Sequence, residues 1–124
     1  MKKKESIGQI NFYKLIPLKN SKWQKDEKGL VTLLKPKFRH PLLVKHLLPR
    51  LKNPYFKIRL DTVGSFIWTQ CNGRCTVEEL AENLEAKFGN KVQPVEERLT
   101  LFLQSLEKNH FIIYKQQIKG VRPS

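Results

Sequence analysis

The side chains of this 124-residue chain that could carry chemistry are two cysteines, three histidines and eleven carboxylates. Cys71 and Cys75 are separated by three residues, which is too long for the C-x-x-C spacing of a redox or zinc half-site, and no second pair follows. His40, His46 and His110 are scattered along the chain and form no ligand set. The sequence therefore predicts no metal site and no cofactor, with both cysteines in core or turn positions.

The carboxylates do not form a catalytic pattern either. Glu78, Glu79, Glu82 and Glu85 fall on the outward side of one helical period, where solvent exposure explains them more simply than acid–base catalysis. The chain has no glycine-rich phosphate loop and no nucleophile elbow. We predict no catalytic residue, and we expect a protein that is not an enzyme.

The formal net charge of +13 is distributed unevenly. Residues 1–60 contain 16 Lys/Arg and 3 Asp/Glu, whereas residues 61–124 contain 8 of each class. Any electrostatic partner should therefore meet the N-terminal half. The segment 35–54 has no acidic residue, and it forms either a solvated excursion or a docking surface for an acidic peptide, a partner protein or phosphates, through Lys35, Lys37, Arg39, Lys45, Arg50 and Lys52.

Length and composition indicate one globular domain that does not span a membrane. The hydrophobic fraction is 40%, and no run approaches the ~20 apolar residues of a membrane span. Three lysines after Met1 are followed by Glu5 and Ser6 rather than by an apolar signal region, so we expect a cytoplasmic protein. The oligomeric state is left open.

The N-terminal half is predicted to contain a basic extension (residues 1–20, the first ten frayed) and then a β-hairpin with an insertion (residues 21–56). The hairpin joins residues 21–25 to residues 30–34 through an Asp26–Gly29 turn, with Trp23 as its main apolar anchor. Four prolines divide the insertion, in which residues 41–48 could form two turns of helix with one apolar side made of Leu42, Leu43, Leu47 and Leu48.

The next segment, residues 57–115, is predicted to be the folded core. Phe56, Ile58 and Leu60 alternate with Lys57 and Arg59, which is typical of a strand with one buried and one wet face. A short helix follows, capped by Asp61, with Val63, Phe66 and Ile67 on its apolar side and Asn72-Gly73 after its end.

Two further helices and a strand complete this segment. The capping box Thr76-Val77-Glu78-Glu79 begins the second helix, whose apolar positions are Val77, Leu80, Ala81, Leu84 and Phe88. Pro94 suits the first turn of the third helix, whose apolar stripe is Val95, Leu99, Phe102 and Leu106. Residues 110–114 read as a strand, and residues 116–124 as a basic tail.

This order predicts an α+β protein with a winged helix-turn-helix: a small N-terminal antiparallel sheet, three helices and a C-terminal strand. The third helix carries three acidic and two basic residues, so it is poorly suited to the DNA major groove, and nucleic acid is an unlikely partner. Leu101 lies roughly 120° from the centre of the apolar stripe. It is either an ordinary exposed leucine or, with Arg98 and Ser105, one wall of a peptide groove.

Residues 56–114 resemble the PqqD family of pyrroloquinoline quinone biosynthesis. The resemblance is carried by N-cap, turn and core positions, namely Leu60-Asp61, Gly64, Ile67-Trp68, Asn72-Gly73, Thr76-Val77, Leu80, Leu84, Phe88, Leu103, Leu106 and Phe111-Ile112. It implies a small winged helix-turn-helix with an N-terminal three-stranded sheet. It also implies a peptide chaperone, or recognition element, that presents the leader of a ribosomally made precursor peptide to a modifying enzyme, often a radical SAM protein.

In that family the leader adds as a strand beside the third sheet strand and packs on the third helix. The corresponding positions here are the edge formed by Phe56, Lys57, Ile58, Arg59 and Leu60 and the helix wall formed by Arg98, Leu101 and Ser105. The basic insertion of about twenty residues and the longer N-terminal extension depart from the family pattern. The insertion could cover the edge, extend it, or replace the family's usual partner.

Two alternatives of other classes stay open. One is a DNA-binding winged helix that uses the basic N-terminal half. The other is an interaction protein that docks an acidic partner through the basic insertion.

Overall fold

The computed structural model describes residues 11–116, so the predictions for the tails at residues 1–10 and 117–124 lie outside the described residues. The described part is α+β, as predicted, with two small antiparallel sheets and four α-helices. Its elements are β1 Leu15–Lys19, β2 Lys22–Lys25, β3 Val31–Pro36, α1 Pro41–His46, β4 Tyr55–Arg59, α2 Thr62–Gln70, α3 Val77–Phe88, α4 Val95–Lys108 and β5 Ile112–Gln116.

The chain divides into two compact units, and the division falls within α2. One unit is Ser21–Ser65, and the other contains the described residues 11–20 and 66–116. The strands of the unit Ser21–Ser65 form an antiparallel sheet in the order β2-β3-β4.

The β2–β3 hairpin confirms the predicted turn. One carboxylate oxygen of Asp26 accepts hydrogen bonds from the backbone N–H groups of Lys28 and Leu30, both at 2.9 Å. Gly29 has φ +84°, a conformation that glycine adopts without steric cost. The prediction that Trp23 anchors the hairpin is wrong: Trp23 is 36% exposed, whereas Val31 and Leu33 are fully buried. The reason is position, because β2 is an edge strand and β3 is the central strand.

The insertion between β3 and β4 is closed at its base by a hydrogen bond from Lys37 N–H to the Pro54 carbonyl, at 3.0 Å. Within it α1 begins with His40 as its N-cap, and a 3-10 turn, Leu48–Arg50, follows. The predicted helix is confirmed. None of the residues of α1 is buried, and of the four predicted leucines only Leu48, after the helix, is buried.

The connection from β4 to α2 is tightly hydrogen-bonded. Leu60 N–H donates to the Val31 carbonyl at 2.8 Å, and Val31 N–H donates to the Ser65 hydroxyl at 2.8 Å. The Asp61 carboxylate accepts from Gly64 N–H at 2.8 Å, which confirms the predicted N-cap.

In α2 the buried apolar side chains are Trp68, at 0% exposure, and Ile67, at 3%. Val63 and Phe66, which the periodicity places on the apolar side, are half-buried. The C-terminal break is confirmed, since Gly73 has φ +78° and its N–H donates to the Pro17 carbonyl at 3.1 Å.

The other unit contains a two-stranded antiparallel sheet in which β1 pairs with β5, with Pro17 opposite Tyr114. Helices α3 and α4 belong to the same unit. The capping box of α3 is confirmed in both directions: Thr76 N–H donates to the Glu79 carboxylate at 2.9 Å, and Glu79 N–H donates to the Thr76 hydroxyl at 3.1 Å.

The apolar faces of α3 and α4 differ slightly from prediction. Val77, Leu80, Ala81 and Leu84 are buried, whereas Phe88 is half-buried. On α4 the buried residues are Val95, Leu99, Leu103 and Leu106, so Leu103 replaces the predicted Phe102, which is half-buried. The other three stripe residues were predicted correctly, and the exchange turns the centre of the stripe by only roughly 25° around the helix.

Candidate functional site

The outer edge of β4 is the first half of the predicted site. Strand β4 lies at one end of the β2-β3-β4 sheet, and no strand within residues 11–116 pairs with its outer side. The basic insertion forms α1 and a 3-10 turn, and it adds no strand to the outer edge of β4. An unpaired strand edge offers N–H and C=O groups to an extended chain.

The register of β3 and β4 determines which backbone groups face outward. Opposite residues run continuously from Thr32↔Arg59 to Pro36↔Tyr55. Leu60 N–H donates to the Val31 carbonyl, and Lys37 N–H donates to the Pro54 carbonyl. Val31/Leu60 and Lys37/Pro54, which flank the strand pair, are therefore hydrogen-bonded pairs. In an antiparallel ladder such pairs alternate with pairs that direct their N–H and C=O groups away from each other.

It follows that Phe56 and Ile58 direct their backbone groups toward β3. Tyr55, Lys57 and Arg59 direct theirs outward, which gives a row of three N–H and three C=O groups along the edge. Adding one chain along this row requires no rearrangement of the sheet. The arrangement can therefore bind an extended peptide by main-chain hydrogen bonds.

The side chains of β4 alternate between two faces, but the prediction of a buried face is wrong. Phe56 is 54% exposed and Ile58 is 37% exposed, while only Leu60, beyond the strand, is buried. Ile58 lies opposite Leu33, which is fully buried on the central strand. The period of two identified the apolar face correctly, but at the sheet edge that face is largely uncovered.

The opposite face of β4 is basic. Lys57 and Arg59 are exposed on this face. Lys22 of β2 lies on the same face, because Lys22 and Lys57 are both directly opposite Leu34 of β3. Lys22 also donates to the Tyr55 hydroxyl at 3.1 Å, and its ammonium lies 5.6 Å from the centre of the Tyr55 ring. The edge therefore presents an apolar side and a cationic side to any added strand.

The second half of the predicted site lies on α4, in the other unit. Leu101 is 64% exposed, as predicted, and it lines a cavity of about 500 Å³. The other lining residues are Tyr13, Pro94, Glu96, Glu97 and Thr100. Tyr13 was not identified from the sequence, because it lies far from α4 along the chain and no local pattern links the two.

Arg98 and Ser105 do not line this cavity. The Arg98 guanidinium donates to the Lys91 carbonyl at 3.1 Å, which directs it to the turn before α4. Ser105 is exposed, and its carbonyl accepts from the Asn109 side-chain amide at 2.9 Å. Of the three predicted wall residues, Leu101 is the one that the structure places beside an open cavity.

The predicted basic surface belongs to the unit Ser21–Ser65. Arg39, Lys45, Arg50 and Lys52 are exposed, and Lys35 on β3 is half-buried. The Lys37 ammonium lies 5.3 Å from the centre of the Phe56 ring, so this cation also extends over the apolar side of the β4 edge.

The cysteines occupy a core and a turn position, as predicted. Cys71 is fully buried, its thiol donates to the Ile67 carbonyl at 3.4 Å, and burial raises its pKa to about 12. Cys75 is half-buried, and burial also raises its pKa. Lys19 donates to the carbonyls of Thr69 and Cys71, both at 3.4 Å, and its own pKa is lowered by burial.

Within the described part of the chain, no group of three or more His, Cys, Asp or Glu side chains could hold a metal ion. No helix among residues 11–116 has the length and apolar character needed to cross a membrane.

Comparison with known proteins identifies one family. Residues 55–112 match the family described as Coenzyme PQQ synthesis protein D (PqqD). The matched range begins at β4 and ends in β5, and it confirms the resemblance found in the sequence. No curated protein and no solved structure matches the chain.

Proposed function

From the PqqD-like family assignment of residues 55–112, we propose that the chain is a non-catalytic adaptor for a precursor peptide. It binds the leader of a ribosomally synthesised precursor and presents it to a modifying enzyme, such as a radical SAM protein. The proposal includes a winged helix-turn-helix arrangement of α2, α3 and α4. The observation that carries it is the outward row of backbone groups on β4.

The row of backbone groups supports binding of an extended peptide but not a choice among sequences. Each such hydrogen bond typically contributes about 0.5–1.5 kcal/mol net to the free energy of binding, and the three N–H and three C=O groups of the row could form up to about six of them. A micromolar complex requires about −8 kcal/mol after the costs of ordering both partners. Contacts from side chains on both faces must therefore supply part of the affinity.

The two faces of the edge suggest the chemical class of the peptide. Apolar peptide residues would pack against Phe56 and Ile58, and the intervening residues would meet Lys57 and Arg59. We expect a bound segment that alternates apolar and acidic residues. An added strand has its side chains in this alternation, so one register satisfies both faces.

Amide NMR of the labelled chain tests this proposal. The probe is a synthetic peptide that alternates isoleucine and glutamate, and the control peptide has the same composition with the two residue types in separate blocks. The amide signals of Tyr55, Lys57 and Arg59 should shift most, and their hydrogen exchange should slow. The amides of Phe56 and Ile58, which already face β3, should change less.

Equal shifts along the whole strand, or the same shifts with the block peptide, would contradict an added strand in a defined register. The genomic neighbourhood provides a second test of the biological role. A gene for a short precursor and a gene for a radical SAM protein beside this one would support it. The leader encoded by such a precursor should bind at the same amides as the alternating peptide.

A further inference from the structure

Helix α1 and its C-cap residue, Leu47, carry a cluster of exposed apolar side chains that are not part of the peptide edge. Leu42 is 62% exposed, Leu43 40%, Val44 36% and Leu47 39%, and none of the residues of α1 is buried. Single exposed leucines are ordinary on protein surfaces. Four large apolar residues within six positions form a patch of the kind that marks an interaction site.

The patch is held in place by contacts at its ends. The bond from Lys37 N–H to the Pro54 carbonyl closes the insertion, and a ring nitrogen of His40 accepts from Leu42 N–H at 3.1 Å. Leu48, which follows the helix, is only 6% exposed and anchors the insertion. Because an isolated helix of six residues is not stable in water, these attachments are what present the apolar side chains.

The surroundings of the patch are cationic. From Leu30 to Leu60 the chain contains eight Lys/Arg and no Asp/Glu. Arg39, Lys45 and Arg50 are exposed close to α1 in the sequence. A positive surface without internal acidic partners favours association with an acidic surface, both in the rate of encounter and in specificity.

We propose that α1 and its basic neighbours form a docking surface for an acidic, amphipathic segment of a partner protein. Apolar side chains of that segment contact Leu42, Leu43, Val44 and Leu47, and its carboxylates meet the surrounding cations. None of these residues belongs to the outward row of β4, so the docking proposal does not rest on the peptide proposal.

A protein partner fits the patch better than a lipid surface does. Leu42, Leu43 and Val44 are consecutive, so their side chains leave the helix in directions about 100° apart. A bilayer presents a flat surface to one side of a helix, whereas the apolar side chains of a protein segment can reach around the helix to two adjacent sides. The charge complementarity then selects an acidic segment among protein surfaces.

Fluorescence anisotropy with a designed helical peptide tests the proposal. The probe has leucines along one side and glutamates on the other, and a scrambled peptide of the same composition lacks the apolar side. We expect saturable binding of the probe. The double variant Leu43→Ser/Leu47→Ser should weaken it about tenfold or more through lost apolar contact. Lys45→Gln/Arg50→Gln should weaken it and reduce its salt dependence.

The matched control is Ile113→Ser, since Ile113 is an apolar residue of β5 that is 45% exposed in the other unit. It should bind the probe as the unsubstituted chain does. Circular dichroism verifies the fold of each variant, and Leu42→Ser replaces the double variant if that variant does not fold. Equal binding of the scrambled peptide, an equal loss with Ile113→Ser, or binding to phosphatidylglycerol vesicles without binding of the probe would overturn the proposal.

Discussion

Replacing Lys57 by proline removes a single backbone donor of the proposed peptide edge. The register of β3 and β4 directs Lys57 N–H away from the sheet, so its removal costs the β3–β4 ladder no hydrogen bond. Proline is tolerated on edge strands whose N–H would face solvent. The residue before it, Phe56, is already in the extended conformation that proline requires. The variant should fold.

The expected loss of peptide affinity follows from the missing donor. One hydrogen bond contributes about 0.5–1.5 kcal/mol, which corresponds to a roughly 2- to 13-fold increase in Kd for the alternating peptide. The proline ring also occupies space on the outward side, where the added strand must approach. We therefore expect a change at the upper end of this range.

Lys57→Gln is the matched control, because it removes the charge and retains the N–H. Isothermal titration calorimetry of both variants with the alternating peptide separates the loss of charge from the change in the backbone, and the ratio of their Kd values reports the lost N–H together with the added proline ring. If Lys57→Pro binds the peptide as tightly as Lys57→Gln does, the outward row of β4 does not bind the peptide. The ladder argument and the proposed function would then both fail at this strand.

Three further predictions concern α4, α3 and the core. Leu101→Glu, at the open cavity of α4, should weaken binding of a cognate leader peptide by at least about fivefold, because the helix wall is expected to contribute about 1 kcal/mol of apolar contact. The control Ile113→Glu should leave the affinity unchanged. Equal affinities for both variants would remove Leu101 from the site. Thr76→Ala should lower the free energy of unfolding by about 1 kcal/mol in urea denaturation, because the hydroxyl that accepts from Glu79 N–H is lost. A loss below a few tenths of a kcal/mol would show that the capping box contributes little to stability. Burial raises the pKa of the Cys71 thiol from 9.0 to about 12. Above pH 9 the unfolded chain therefore loses this proton while the folded chain keeps it. The free energy of unfolding should fall as pH rises, with a limiting slope of about 1.4 kcal/mol per pH unit. Cys71→Val should have a flatter pH dependence between pH 9 and 10 than the unsubstituted chain, and parallel curves would show that the thiol titrates normally.

Short-range chemistry in the sequence was sufficient for the turns and the caps. The Asp26–Gly29 turn, the Asp61 cap and the Thr76–Glu79 box each depend on hydrogen bonds between residues two to four positions apart. Such contacts form in the same way wherever the segment lies in the fold. The exposure of Leu101 was also predictable, because its angle on the helix follows from the spacing of the buried stripe.

The tertiary structure decided which surfaces are covered and which backbone groups are available. A period of two shows that Phe56 and Ile58 share a face, but that pattern is the same whether the face is packed or, as here at a sheet edge, largely open. The leucine spacing of α1 likewise does not specify whether its apolar side is packed, and in the structure none of the residues of α1 is buried. The outward direction of Lys57 N–H follows only from pairing with β3 across the long insertion. Pairing between distant segments depends on the register of the sheet, which no local pattern in the chain specifies.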